Sequence, residues 1–223
     1  GVFIGLGIMW WGQQPPESIG LDLKTRTPIQ IALLLGMVIW IFINILVAVG
    51  NWINSGSLIW NLNWSEKGVL VLIGSFLAQL IGVAFQEEIL FRGYLLIQIG
   101  KKIHNATHLS HRSIIFLSIT LSNFLFAIMH IPSRIYHDFA IGDIIYSLLL
   151  LWGIGVVFSF VYLLTENLWF TMIFHAFHNA FLLLWPTLFY ERFANQFVWV
   201  LVIFCVIFWN SLPFSNQDYI EIN

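Results

Sequence analysis

The chain has 223 residues, of which 59% are hydrophobic, 17% aromatic and only 9% charged, with a formal net charge of −2. An apolar share so far above the roughly 45–50% of soluble domains excludes an ordinary soluble fold. The charge balance, with no basic run longer than Lys101-Lys102, excludes a broad nucleic-acid-binding surface.

A helix needs about 20 apolar residues to cross a bilayer. By that ruler the chain predicts spans at 1–12 (partial), 29–49, 68–99, 113–131, 143–164, 168–185 and 195–212. The first opens at Gly1 without an initiator Met, a basic n-region or a small-residue cleavage site. It therefore reads as a truncated span or a fragment, not a signal peptide. The third is too long for a simple crossing at 1.5 Å per residue. It must tilt, kink, or emerge as an amphipathic extension near Arg92 to Gly100.

Turn formers fill the short connections: Pro15-Pro16, Asn51 to Asn63, Pro132-Ser133 and Pro186. No composition break or internal repeat divides the chain. The expected fold class is all-α, a polytopic transmembrane helical bundle of about six to seven spans, forming one integral-membrane domain over 1–223. Eleven Trp and twenty-one Phe suit a lipid-facing surface with interfacial aromatic belts. Membrane lipids are thus expected partners. Lys24, Arg26, Lys101, Lys102 and Arg112 lie in one set of loops, against Lys67, Arg134 and Arg192 in the other. The richer set is expected on the cytoplasmic side. Cys205 is the one cysteine, so no intramolecular disulfide forms, and its apolar surroundings suit an inert thiol.

Against this background Glu87, Glu88 and Arg92 stand out, because they fall inside the apolar run 68–100. Each charge near a bilayer centre costs at least ~2.5–3.5 kcal/mol on insertion scales, so intramembrane charge points to function. Glu88 and Arg92 are four apart and stack on one helical face as an expected ion pair. Glu87 points about 100° away and is left without a local cation. That setting suits a general base.

Two later spans supply partners. Phe126 and His130 share a face, with Asn123 one turn further back. His175 and Asn179 share another at i and i+4, as two donors aimed at one oxygen require. His178 lies off that stripe and flanks it. A lone histidine of this kind is usually a packing residue, and a lone His–Asn pair an interhelical bond. Acid, imidazole and imidazole-plus-amide on three separate spans together weigh toward a site. No GxSxG or HExxH is present, and Cys205 has no His or Asn nearby. Two schemes stay open on the residues alone. Glu87, His130 and His175 could ligate zinc. Alternatively, Glu87 and His130 activate a water while His175 and Asn179 stabilise an oxyanion, as peptide hydrolysis requires.

The motifs Glu87-Glu88-x-x-x-Arg92, Phe126-x-x-x-His130 and His175-x-x-x-Asn179 resemble, in order and spacing, those of the CPBP family. These are the CAAX-processing and bacteriocin-processing intramembrane proteases, also called the Abi family. The flanks Phe85 to Tyr94 and Thr165 to Trp169 resemble it too, and the likeness covers roughly 70–190, the expected protease core. It implies a water activated by Glu87 with His130, an oxyanion held by His175 and Asn179, and Glu88 and Arg92 holding the site together. It also implies a glutamate-dependent, metal-free mechanism, with zinc as the alternative. The implied substrate is a peptide or membrane protein, and the implied location a bacterial plasma membrane.

Two other classes fit less well. A non-catalytic immunity or scaffold protein on the same fold gains nothing from buried charge. An ion-coupled transporter predicts repeats with broken helices in both halves, and the sequence has none.

Overall fold

The computed structural model describes residues 7, 10, 15–21, 27–58, 60–180 and 183–185. The expected spans at 195–212 and most of 1–12, with Lys24, Arg26, Pro186, Arg192 and Cys205, lie outside these. Among the described residues all regular structure is helical and there is no strand. The fold is thus all-α, and four helical runs are long and apolar enough to cross a membrane. These are Ile29–Ser55, Val69–Ala106, His111–Tyr136 and Ile141–Thr165. Both the class and the polytopic pattern agree with the sequence reading.

Helix α1 (Thr27–Ser55) starts with Pro28 in its first turn, where a missing N–H costs nothing. It ends against Gly56, whose φ of 65° is the left-handed cap that glycine accepts without strain. Helix α2 is the whole run Val69–Ala106, 38 residues and nearly twice a simple crossing. Two π-helical stretches, Gln79–Ala84 and Ile89–Leu95, interrupt its α geometry, with Phe85–Glu88 between them. Such wide turns are uncommon and occur often at functional sites. The irregularity expected for this run is therefore a pair of π segments, and they bracket Glu87 and Glu88.

Helix α3 (His111–Ile128) is capped by Ser110, whose side chain accepts from the Ser113 N–H. A short helix α4 (Ile131–Tyr136) follows, with Pro132 in its first turn. Helix α5 (Ile141–Thr165) closes on Glu166, held at a φ of 49°. Asn167 then caps α6 (Leu168–Asn179), accepting from the Phe170 N–H at 3.1 Å. The predicted span at 168–185 is realised as these 12 helical residues, because Ala180 leaves helical geometry at φ −129°, ψ 76°.

The chain forms two compact units. One contains the described residues up to Ile89 together with those from Asn167 onward; the other is Leu90–Glu166. In the first, α6 packs on α1 and on the Gln79–Ala84 stretch. The approach is close at Gly36, where an added Cβ would lie 2.7 Å from Ile173 Cγ2 and 3.2 Å from the Phe177 ring. The segment after α6 is also tied down. The Leu184 N–H donates to Asn44 Oδ1 at 2.8 Å, and Asn61 Nδ2 and Trp64 Nε1 both donate to the Leu183 carbonyl. In the second unit α3 packs against α5 and against the Leu96–Ala106 end of α2, and α4 against α5. Large apolar side chains such as Leu34, Phe42, Leu70, Phe116 and Phe124 stand outward, as a lipid-facing surface requires.

Candidate active site

The first unit holds the two carboxylates and the third motif. Glu88 lies between the π stretches of α2 and is fully buried, whereas the Glu87 side chain keeps 19% of its exposure. Across from them α6 presents His175, also buried. Its Nδ1 lies 2.6 Å from Glu88 Oε1, and its Nε2 lies 3.7 Å from Glu87 Oε2. One imidazole therefore has a carboxylate at each nitrogen. The shorter contact is a charge-assisted hydrogen bond. The longer one falls just outside hydrogen-bond reach.

Asn179 stands at the exposed end of α6, one turn beyond His175, with Nδ2 3.4 Å from Gln79 Oε1. Gln79 begins the first π stretch, so the wide turn delivers its amide to the same place. His178 is half-buried on the adjoining face of α6.

The second unit holds Arg92 and His130. Arg92 is fully buried and its Nη2 donates to Asn123 Oδ1 at 3.0 Å and to the Gly155 carbonyl at 2.9 Å. The guanidinium carbon sits 5.0 Å from the Phe126 ring centre and 5.4 Å from that of Phe158, both within cation–π range. His130 lies two residues past the end of α3, with Nδ1 2.8 Å from the Phe126 carbonyl. A carbonyl only accepts, so Nδ1 carries the proton and Nε2 keeps its lone pair in the neutral ring.

The structure therefore brings Glu87, Glu88, His175 and Asn179 together in one unit, and groups Arg92 and His130 with Asn123 in the other. The Glu88–His175 hydrogen bond, the Gln79–Asn179 contact and the Gly155 carbonyl were not among the sequence expectations. The first two depend on which face α6 turns to α2, and helical spacing alone does not give that. For Asn123 a signal existed, a buried-looking amide two turns before His130. Among the described residues no three His, Cys, Asp or Glu side chains are grouped as metal ligands.

A helical membrane architecture with buried acid–imidazole contacts defines a class, the polytopic membrane proteins that keep ionisable chemistry inside their helices. The family model described as "Type II CAAX prenyl endopeptidase Rce1-like" matches residues 69–181, just over half the chain. The chain belongs to that family. It is an integral membrane protein and a CAAX-type intramembrane protease. No curated protein and no solved structure matches it. The match starts at the first residue of α2 and ends just past α6, so it takes in all three motifs.

Proposed function

We propose that the chain is a glutamate-type endopeptidase that hydrolyses a peptide bond in a membrane-associated protein or peptide, in a bacterial plasma membrane. The observation that carries this reading is His175 held between Glu88 at 2.6 Å and Glu87 at 3.7 Å. Glu87, the more exposed carboxylate, takes a proton from water, and the water oxygen attacks the scissile carbonyl carbon. His130 assists as a second base through its Nε2 lone pair. The tetrahedral oxyanion accepts from Asn179 Nδ2 and from His175 Nε2. His175 donates from Nε2 while its Nδ1 stays against Glu88 Oε1 at 2.6 Å. Collapse breaks the C–N bond, and the leaving nitrogen takes back the proton that Glu87 removed.

Zinc is the alternative: His175 Nε2 and Glu87 Oε2, 3.7 Å apart, could both ligate it while the 2.6 Å contact to Glu88 orients the ring. The test is peptide cleavage by the purified full chain in detergent, wild type against Glu87→Ala, with EDTA and with added zinc. The expected result is cleavage that survives EDTA and falls by about 10³-fold in Glu87→Ala, within the range that acid–base groups contribute. Loss in EDTA with recovery in zinc would overturn the glutamate mechanism, and full activity in Glu87→Ala would remove that residue from its role.

A further inference from the structure

Within Leu90–Glu166 a chain of contacts runs from a buried amide to the His130 imidazole. Asn123 Oδ1 accepts from Arg92 Nη2 at 3.0 Å, while its Nδ2 donates to the Ile119 carbonyl at 2.8 Å and to Ser159 Oγ at 2.9 Å. The guanidinium cannot accept and the carbonyl cannot donate, so these contacts fix which way the amide faces. Gly155 completes the seat. Its carbonyl takes the second Arg92 bond, and an added Cβ there would lie 2.5 Å from Asn123 Oδ1.

Arg92, so held, lies over the Phe126 ring. Phe91 packs edge-on against that ring at 5.0 Å and His130 at 4.8 Å. Phe126 therefore cannot turn unless Arg92 moves or His130 is displaced. The backbone adds a second link. Helix α3 ends at Ile128, and the His130 N–H bonds to Ala127 instead of Phe126. The Phe126 carbonyl is thereby released from the helical ladder and takes the His130 Nδ1–H at 2.8 Å. An amide that merely joined α3 to α5 would need only the Ser159 contact.

We propose that Asn123, seated by Gly155 and Ser159, is a positioning residue for His130: it locks Arg92 over Phe126, whose ring and carbonyl aim the imidazole and keep its proton on Nδ1. The inference rests on the acid–base role given to His130 above. Asn123 acts through Arg92 and Phe126 and touches no reacting atom.

The experiment compares full-length Asn123→Ala, Asn123→Asp, Gly155→Ala and His130→Ala with wild type. It reads kcat, KM, the pH profile of kcat and the imidazole ¹⁵N shifts of His130, assigned by their absence in His130→Ala. A misplaced catalytic group typically costs about 10²-fold. Asn123→Ala and Gly155→Ala should therefore lower kcat about 10–100-fold, with KM within about threefold, and shift the acid limb of the profile. The His130 shifts should move from the single Nδ1–H form to a mixture of tautomers. Asn123→Asp still accepts from Arg92 and should recover to within about fivefold of wild type.

Wild-type kcat, profile and tautomer in Asn123→Ala would overturn the inference. So would an Asn123→Asp variant as defective as Asn123→Ala, since the donor contacts alone would then matter. Should Asn123→Ala fail to fold, Gly155→Ala decides the question, because it displaces the amide while keeping every polar group. Wild-type activity in His130→Ala would sink the role of His130 itself, a failure the tautomer readout keeps separate from the Asn123 linkage.

Discussion

The two units handle buried charge in opposite ways. In Leu90–Glu166 the Arg92 guanidinium has a side-chain acceptor, a backbone acceptor and an aromatic ring on two sides. Contacts of this kind make a buried cation tolerable. In the other unit two adjacent carboxylates share one imidazole, one tightly at 2.6 Å and one loosely at 3.7 Å. In the proposed mechanism the loose contact is where a proton or a substrate atom enters. The difference lies in the partners: Arg92 has acceptors and rings of its own, whereas Glu87 and Glu88 converge on one imidazole.

Three substitutions can break or sharpen this contrast. Glu88→Gln keeps the side-chain shape and removes the charge behind His175. It should lower kcat about 10²-fold, the scale of acid–base assistance, and leave the unfolding temperature near wild type. A Glu88→Gln enzyme with unchanged kcat would erase the distinction between the units. Arg92→Lys should lower stability as well as kcat. Lys keeps the charge and loses the fork that reaches Asn123 and Gly155, at a cost of about 2–3 kcal/mol in stability. Thermal unfolding in detergent measures it, and an unshifted midpoint would show the network to be dispensable. The smallest effect is expected for Gly36→Ala, which drives a methyl against Ile173 and Phe177. Overpacking there should cost about 1–2 kcal/mol. Because α6 carries His175 and Asn179, kcat should fall with it; stability loss at full kcat would mean that α6 adjusts without moving the site.

Much of this was legible in the chain beforehand. Composition and apolar runs gave the helical membrane class, and the four described crossings start within about three residues of their predicted positions. Glu87 and Glu88 announced themselves as charge inside an apolar run, and the i, i+4 spacing found His175 and Asn179. What spacing could not give was partner choice. The i, i+4 rule does not reach the imidazole 87 positions away that lies against Glu88 at 2.6 Å. Arg92 finds acceptors 31 and 63 positions on. Tertiary packing selects such partners, and a periodicity argument sees one helix at a time. The length of α2 announced an irregularity but not its π geometry, which the single glycine in each stretch, Gly82 and Gly93, does not by itself demand.

That geometry also limits how the gene can vary. A π turn holds about one residue more than the α turn it replaces, so the stretch Gln79–Ala84 behaves as an absorbed insertion. Deleting a single codon there would let the backbone relax to α spacing, and everything after it would turn by about 100°. Glu87 and Glu88 would then swing off the side facing His175, although every motif residue would still be encoded in the same order. The number of residues in this stretch thus sets which side of the helix Glu87 and Glu88 face. Substitutions within 79–84 should be tolerated far better than any change in its length.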